Sequence, residues 1–159
     1  MTDDAFPAIP PVPPSVAEWE DLLVRVEIAP RALRATLEDV PGDDPEVREL
    51  VARAAEREAA WQRTMEALRA GKPVEGGAPA PLRVDGRIDT EAMVEVFGSL
   101  RMRTFAMAQR RGVDVWEWVT EGPDGSRVTP FRLFTRMVRE DARLLGALRE
   151  RARSGGIAC

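Results

Sequence analysis

Four stretches of the chain carry apolar residues at intervals of three and four positions, which is the spacing of amphipathic α-helices. In the first two stretches these positions are Trp19, Leu22, Leu23, Val26, Leu33 and Leu37, then Val47, Leu50, Val51, Ala54, Trp61, Met65 and Leu68. In the last two they are Met93, Val96, Phe97, Leu100, Thr104 and Met107, then Phe131, Phe134, Val138, Asp141, Leu145 and Leu148, flanked by Met137 and Leu144. Because this pattern leaves little room for a sheet, it predicts an all-α fold, an antiparallel four-helix bundle.

Capping residues indicate where these helices begin and end. Ser15 and Glu18 have the spacing of a capping box, and Asp44 before Pro45 is a typical helix start. Pro30 removes one backbone hydrogen bond inside the first helix and predicts a kink there. The remaining predicted limits are Gly71 for the end of the second helix, Asp89 or Thr90 for the start of the third, Gly112 for its end and Thr129 for the start of the fourth.

Segments rich in proline and glycine lie outside the predicted helices. Residues 1–14 are Pro-rich, so we expect them to be extended and loosely held. Residues 72–87 predict a long loop between helices 2 and 3, and "VDVWEWVTEGPDGSRV" predicts a short irregular segment before helix 4, with a helical turn and a tight turn at "PDGS". We therefore expect one domain at 15–153 between flexible ends at 1–14 and 154–159.

Composition narrows the classes of function. The formal charge of -4 argues against simple binding of a nucleic-acid backbone. The chain has no histidine and one cysteine, Cys159, which excludes Ser–His–Asp and Cys–His catalysis, zinc sites built on imidazole and an internal disulfide. It lacks a signal-peptide pattern, and no apolar run approaches the ~18 residues of a membrane helix. We expect a cytoplasmic protein that binds neither nucleic acid nor a membrane.

Three stretches together resemble the helical bundles of the DinB-like superfamily. They are "EVRELVARAAEREAAWQRTMEALRAGKPV", "IDTEAMVEVFGSLRMRTFAMAQ" and "GSRVTPFRLFTRMVREDARLLGALRE", which are similar to the second, third and last helices of that family. The resemblance covers roughly residues 16–150. It implies the bundle fold, a homodimer, and a link to stress and DNA-damage responses or to thiol-dependent transfer.

The resemblance also implies a divalent metal held by three histidines. The matching positions in this chain are Arg53, Glu140 and Leu144. Arginine repels a dication and leucine has no lone pair, so we expect no metal and no other cofactor in this chain. One hypothesis is that Arg53 and Glu140 face each other as an ion pair in place of the metal; the other is that both are solvated surface residues.

Two carboxylates lie inside apolar stripes, where they are unexpected. Burying Glu58 or Asp141 without a partner costs several kcal/mol, which predicts that each pairs with Arg53, Arg101 or a backbone donor. Either they line a pocket, or they form a polar contact that fixes the register of the helices. The candidate pocket residues are Arg53, Glu58, Trp61, Glu140, Asp141 and Leu144.

Three functions remain open at this point. The first is a bundle that has lost its metal site and is non-catalytic or binds a small molecule. The second is a thiol-dependent transferase or isomerase, or a hydrolase, that uses the same pocket without the metal, with Arg53 binding an anionic group and Glu140 acting as general base. The third is a protein-interaction module in which Trp116, Trp118 and the Pro-rich N-terminus contact a partner.

Overall fold

Four long helices form a bundle, and a small hairpin precedes the last of them. The computed structural model describes residues 8–41, 44–76, 89–109 and 114–155. The helices are α1 Val16–Glu38, α2 Pro45–Ala70, α3 Thr90–Ala108 and α4 Pro130–Gly155; between α3 and α4 lie a 3-10 turn, Val115–Glu117, and strands β1 Thr120–Glu121 and β2 Arg127–Val128.

Consecutive helices are not always neighbours in this bundle. In the described helices, α2 packs most extensively against α3 and α1 against α4, while α1 with α3 and α2 with α4 form the remaining adjacent pairs. The cyclic order around the bundle is therefore α1–α3–α2–α4, with α1 and α2 diagonal to each other. The least extensive of the four adjacent pairings is that of α2 with α4, which leaves a groove between them.

The predicted caps are confirmed. The hydroxyl of Ser15 accepts a hydrogen bond from the N–H of Glu18 at 3.2 Å, and the Asp44 carboxylate accepts one from the N–H of Glu46 at 2.9 Å. Gly71 ends α2 in the left-handed conformation, with φ 64°. The N-cap of α3 is Asp89.

Other predicted limits were less accurate. The third helix ends at Ala108, four residues before Gly112, which lies outside the described residues. The last helix continues to Gly155, two residues beyond the position where we expected the domain to end; the described residues stop there and do not include Cys159. Helix ends depend on local hydrogen bonds that apolar spacing does not report, so errors of this size are expected.

The prediction of an irregular segment before helix 4 missed the hairpin. Thr120 pairs with Val128 and Glu121 with Arg127. The predicted turn at "PDGS" is present: Gly125 has φ 78°, and its N–H donates to the Gly122 carbonyl at 3.0 Å. The N–H of Val74, just after α2, donates to the Glu121 carbonyl at 2.9 Å, so the hairpin is held against the end of α2.

The core has two apolar clusters, one towards each end of the bundle. The first cluster contains Leu33, Val40, Val47, Val51, Ala52, Ala54, Ala55, Met93, Val94, Phe97, Leu144 and Leu148. The second contains Trp19, Leu22, Val26, Met65, Leu68, Phe105, Ala108, Val115, Leu133, Phe134 and Met137.

The buried face of α4 differs from the predicted one at Leu144 and Leu145. The predicted apolar stripe included Leu145 and placed Leu144 on its flank, but Leu144 is buried and Leu145 is only half-buried. Of the described helices, none combines the length and the apolar character that crossing a membrane requires.

Candidate functional site

A layer of buried charge crosses the middle of the bundle. Arg101 on α3 lies between Glu58 on α2 and Asp141 on α4, and the side chains of Arg101 and Glu58 are completely buried. Arg101 Nε donates to Glu58 Oε2 at 3.0 Å, and Nη2 donates to the other oxygen of Glu58. Arg101 also holds Asp141 with two bonds, from Nη1 at 2.8 Å and Nη2 at 2.9 Å. The planar guanidinium thus forms a bidentate pair of hydrogen bonds with each carboxylate.

The fifth donor of Arg101 reaches a backbone carbonyl that Pro30 leaves open. A proline at position 30 has no N–H to give the carbonyl of Val26, four residues before it in α1. Arg101 Nη1 donates to that Val26 oxygen at 3.4 Å. All five guanidinium N–H groups therefore have acceptors, and the charged layer joins all four helices.

This layer lies between the two apolar clusters on α2, α3 and α4. On α2, Glu58 follows Ala54 and Ala55 of the first cluster and precedes Met65 of the second. On α3, Arg101 likewise lies between Phe97 and Phe105. The predicted partner for the buried carboxylates is thereby confirmed: it is Arg101, not Arg53.

One arginine between two carboxylates leaves the layer with a net formal charge of minus one. Burial raises the pKa of Glu58 above its ordinary value, although the hydrogen bonds from Arg101 oppose that change. Burial also disfavours the charge on Arg101, but its hydrogen bonds with Asp141 and Glu58 outweigh this and raise the pKa of Arg101. The folded protein therefore holds a proton on Glu58 more tightly than a free glutamate would.

Replacing Glu58 by glutamine is expected to remove a loss of stability that the wild type suffers as the pH rises. Since the pKa of Glu58 in the folded protein lies above its ordinary value of 4.5, the folded protein binds this proton more tightly than the unfolded chain. The contribution of Glu58 to stability is complete below pH 4.5 and is lost as the pH rises through the folded pKa. Urea unfolding at a series of pH values should show that the free energy of unfolding of the variant rises relative to that of the wild type over that range.

Glu27→Gln, an exposed change on α1, is the matched control and should follow the wild type. A wild type that gains on Glu58→Gln as the pH rises would show that Arg101 outweighs burial, which contradicts this prediction.

The three positions that the resemblance matches to metal ligands lie in three different environments. Arg53 is exposed, and its Nε donates to Glu49 Oε1 at 2.9 Å on the same helix. Glu140 accepts from Arg143 Nη1 at 2.5 Å, also on its own helix. Leu144 is buried in the first apolar cluster. The hypothesis of a facing Arg53–Glu140 pair is wrong, because neighbours one helical turn away provide each charge with a closer partner.

These side chains do not fit a three-ligand metal centre. Arg53 is a cation on the surface, and Leu144 offers no donor atom. Within the described part of the chain, no group of three or more histidine, cysteine, aspartate or glutamate residues has an arrangement that could hold a metal ion. The positions of the family's ligands therefore support no reaction step that runs through a bound metal.

A cavity of about 880 Å³ occupies the groove between α2 and α4. The hairpin and residues 8–9 form its other walls. Trp61 and Glu140 are the two predicted pocket residues that line it; Arg53, Glu58, Asp141 and Leu144 do not. Its described lining contains two carboxylates, Asp124 and Glu140, and six arginines: Arg57, Arg127, Arg132, Arg136, Arg139 and Arg143.

Two of these arginines have structural contacts that shape the cavity. Arg132 Nε donates to the Ile9 carbonyl at 3.0 Å and its Nη1 to the Arg127 carbonyl at 2.8 Å. The last part of the Pro-rich segment is therefore held against α4; residues 1–7 of that segment lie outside the described residues. Arg143 is paired with Glu140.

The remaining tryptophans belong to the second cluster. Trp19 is buried, stacks on Phe134 with ring centroids 5.6 Å apart, and meets the edge of Trp116 at 6.2 Å. Trp116 and Trp118 are half-buried and pack against this cluster.

The sequence analysis did not predict the arginines that line the cavity. A signal for them was present, because Arg132, Arg136, Arg139 and Arg143 recur every three or four positions along α4.

Comparison with solved structures supports the fold. No protein-family model matches the chain, and no curated protein does. One solved structure matches with a TM-score of 0.75 and 17% sequence identity, over 89% of this chain and 90% of that one. It is YfiT from Bacillus subtilis, described as a probable metal-dependent hydrolase with an unusual four-helix bundle topology.

The chain has the fold of YfiT. The four-helix bundle predicted from the apolar pattern and from the resemblance is confirmed. In the cyclic order α1–α3–α2–α4, helices that follow each other along the chain are not always neighbours in the bundle.

Proposed function

We propose that this protein is a small-molecule-binding bundle that works without the three-histidine metal site of the DinB-like proteins and without metal-dependent catalysis. The observation that carries the proposal is the different environment of each of the three matching positions. Arg53 is on the surface, Leu144 is in the core, and only Glu140 lines the cavity. A metal centre needs its donors to converge on one point, and these side chains do not.

The cavity between α2 and α4 supports the binding role. Its volume of about 880 Å³ is in the range of ligand pockets, roughly 300–1,000 Å³. It combines the half-buried ring of Trp61 and the side chain of Leu133 with charged groups, which is the mixture that orients a small molecule. The buried charged layer takes no part in this role, because Arg101 and Glu58 are sealed from solvent.

Metal analysis of the purified protein tests the proposal. Mass spectrometry of protein produced with zinc, nickel and manganese in the medium is expected to find far less than one metal ion per chain. The melting temperature is expected to be the same with each added metal and with EDTA, since no donor set links metal binding to folding. YfiT, carried through the same procedure, is the matched comparison.

One metal ion per chain, together with a melting temperature lowered by EDTA, would overturn the proposal. Metal that binds without changing the melting temperature and is removed by dialysis would be surface binding, and would leave it standing.

A further inference from the structure

We infer that the cavity between α2 and α4 binds a small organic anion, a carboxylate or phosphate attached to an apolar group, and that Arg57 is its principal contact. This inference rests on the proposed binding function and specifies the class of ligand. The chain has a formal charge of -4, yet the described lining of this one cavity contains six arginines and only two carboxylates. A cluster of positive charge on a protein whose net charge is negative favours binding of an anionic ligand at that place.

Arg57 carries an unsatisfied hydrogen-bond donor beside the cavity. Its Nε is buried and has no hydrogen-bond partner among the described residues. A buried donor without an acceptor is unfavourable, so an acid group that draws the Arg57 guanidinium into the cavity and accepts its hydrogen bonds would relieve this cost. Arg57 lies one turn before Trp61 on α2, and both side chains line the cavity.

The opposite wall explains why the anion would carry an apolar group. Leu133 and Val128 line the cavity together with Trp61, and all three contribute to the second apolar cluster. An aromatic or aliphatic part of the ligand can lie against these side chains while its acid group reaches the guanidinium groups. A planar guanidinium holds carboxylate or phosphate oxygens with paired hydrogen bonds, which neutral ligands do not provide.

The pairing of Glu140 with Arg143 keeps this carboxylate from opposing the ligand. At 2.5 Å from Arg143 Nη1, the negative charge of Glu140 is balanced within the cavity wall. Asp124 is exposed in the hairpin turn, where it accepts a hydrogen bond from the Ser126 N–H at 2.9 Å. The excess of arginines in the wall is therefore not cancelled by these two acids.

Titration with matched probes tests the inference. The probes are phenyl phosphate, 4-phenylbutyrate, their neutral counterparts phenol and 4-phenylbutanol, and inorganic phosphate alone. Calorimetry gives the affinity, and N–H spectra report the Arg57 Nε–H and Trp61 indole resonances. At least one aromatic anion is expected to bind about tenfold or more tightly than its neutral counterpart, with both resonances shifted. The two acids distinguish a phosphate site from a carboxylate site.

Two variants of the same helix identify the contact. Arg57→Gln keeps much of the length and polarity of the side chain and should weaken binding of the anion by about tenfold or more. Arg63→Gln, an exposed arginine on α2 that does not line the cavity, should bind as the wild type does. Melting temperatures of both variants confirm that they are folded.

Each outcome decides between the two claims. If neutral probes shift Trp61 and bind as tightly as the anions, and Arg57→Gln has no effect, the binding function stands and the anion specificity is wrong. If no probe shifts Trp61 or Arg57 up to millimolar concentration, both claims fail. If the anions shift only resonances outside the cavity, the binding is adventitious and the inference fails.

Discussion

Replacing Arg101 by methionine is expected to lower the free energy of unfolding by about 3–5 kcal/mol at neutral pH. The change removes the only described partner of two carboxylates, one of them fully buried, and leaves negative charge in the centre of the bundle. It also leaves the Val26 carbonyl without the donor that replaces the missing N–H of Pro30. Urea unfolding followed by circular dichroism measures the loss, because small bundles unfold in one cooperative step.

Two further proteins make this test specific to the buried layer. Arg103→Met, on the exposed face of the same helix, should change stability by less than about 0.5 kcal/mol. A triple variant with Arg101→Met, Glu58→Leu and Asp141→Leu should recover much of the loss, since apolar residues of similar volume often replace a buried ionic group at little cost. A mild effect of Arg101→Met alone would show that the carboxylates find water or other partners.

Truncating Leu144 to alanine is expected to destabilise the protein by about 2–5 kcal/mol. Leu144 is 5% exposed and packs with the first apolar cluster, where the end of its side chain would be replaced by a void. The result has a functional meaning, because this position matches a metal ligand in the DinB-like proteins. A ligand position must face an open site, whereas a core position must be filled.

Leu145→Ala is the matched control for this prediction. It makes the same chemical change at the next residue of α4, where the side chain is only half-buried. The unfolding free energies of the two variants, measured by urea denaturation, should differ clearly, with Leu144→Ala the less stable. Equal, small losses would mean that Leu144 faces a space that water can fill, and would reopen the question of a site there.

The charged layer and the cavity have different roles in this bundle. Arg101, Glu58 and Asp141 satisfy one another, and with the Val26 carbonyl they connect all four helices. Arg57 lines the cavity instead, where a ligand can reach its side chain. Activity assays on variants of the layer would therefore report folding, whereas variants such as Arg57→Gln would report binding.

Local signals in the sequence were sufficient for the helices and most of their limits. The capping box at Ser15, the Asp44–Pro45 start and the Gly71 end each act within one helical turn, so neighbouring residues decide them. The apolar spacing predicted the bundle, because burial of one face is what makes such helices stable. The burial of Glu58 and Asp141 also followed from their places in apolar stripes.

The tertiary structure alone decided which charges meet. Arg53 and Arg101 were both available to the buried carboxylates, and the choice depends on the order of the helices around the bundle, which apolar spacing leaves open. The same holds for α4. Successive residues of a helix point about 100° apart, and both Leu144 and Leu145 lie at or beside the apolar stripe, so the spacing alone did not show which of the two faces the core. The arginine-lined cavity arises because α2 and α4 pack loosely and the hairpin closes one side, and both are properties of the assembled fold.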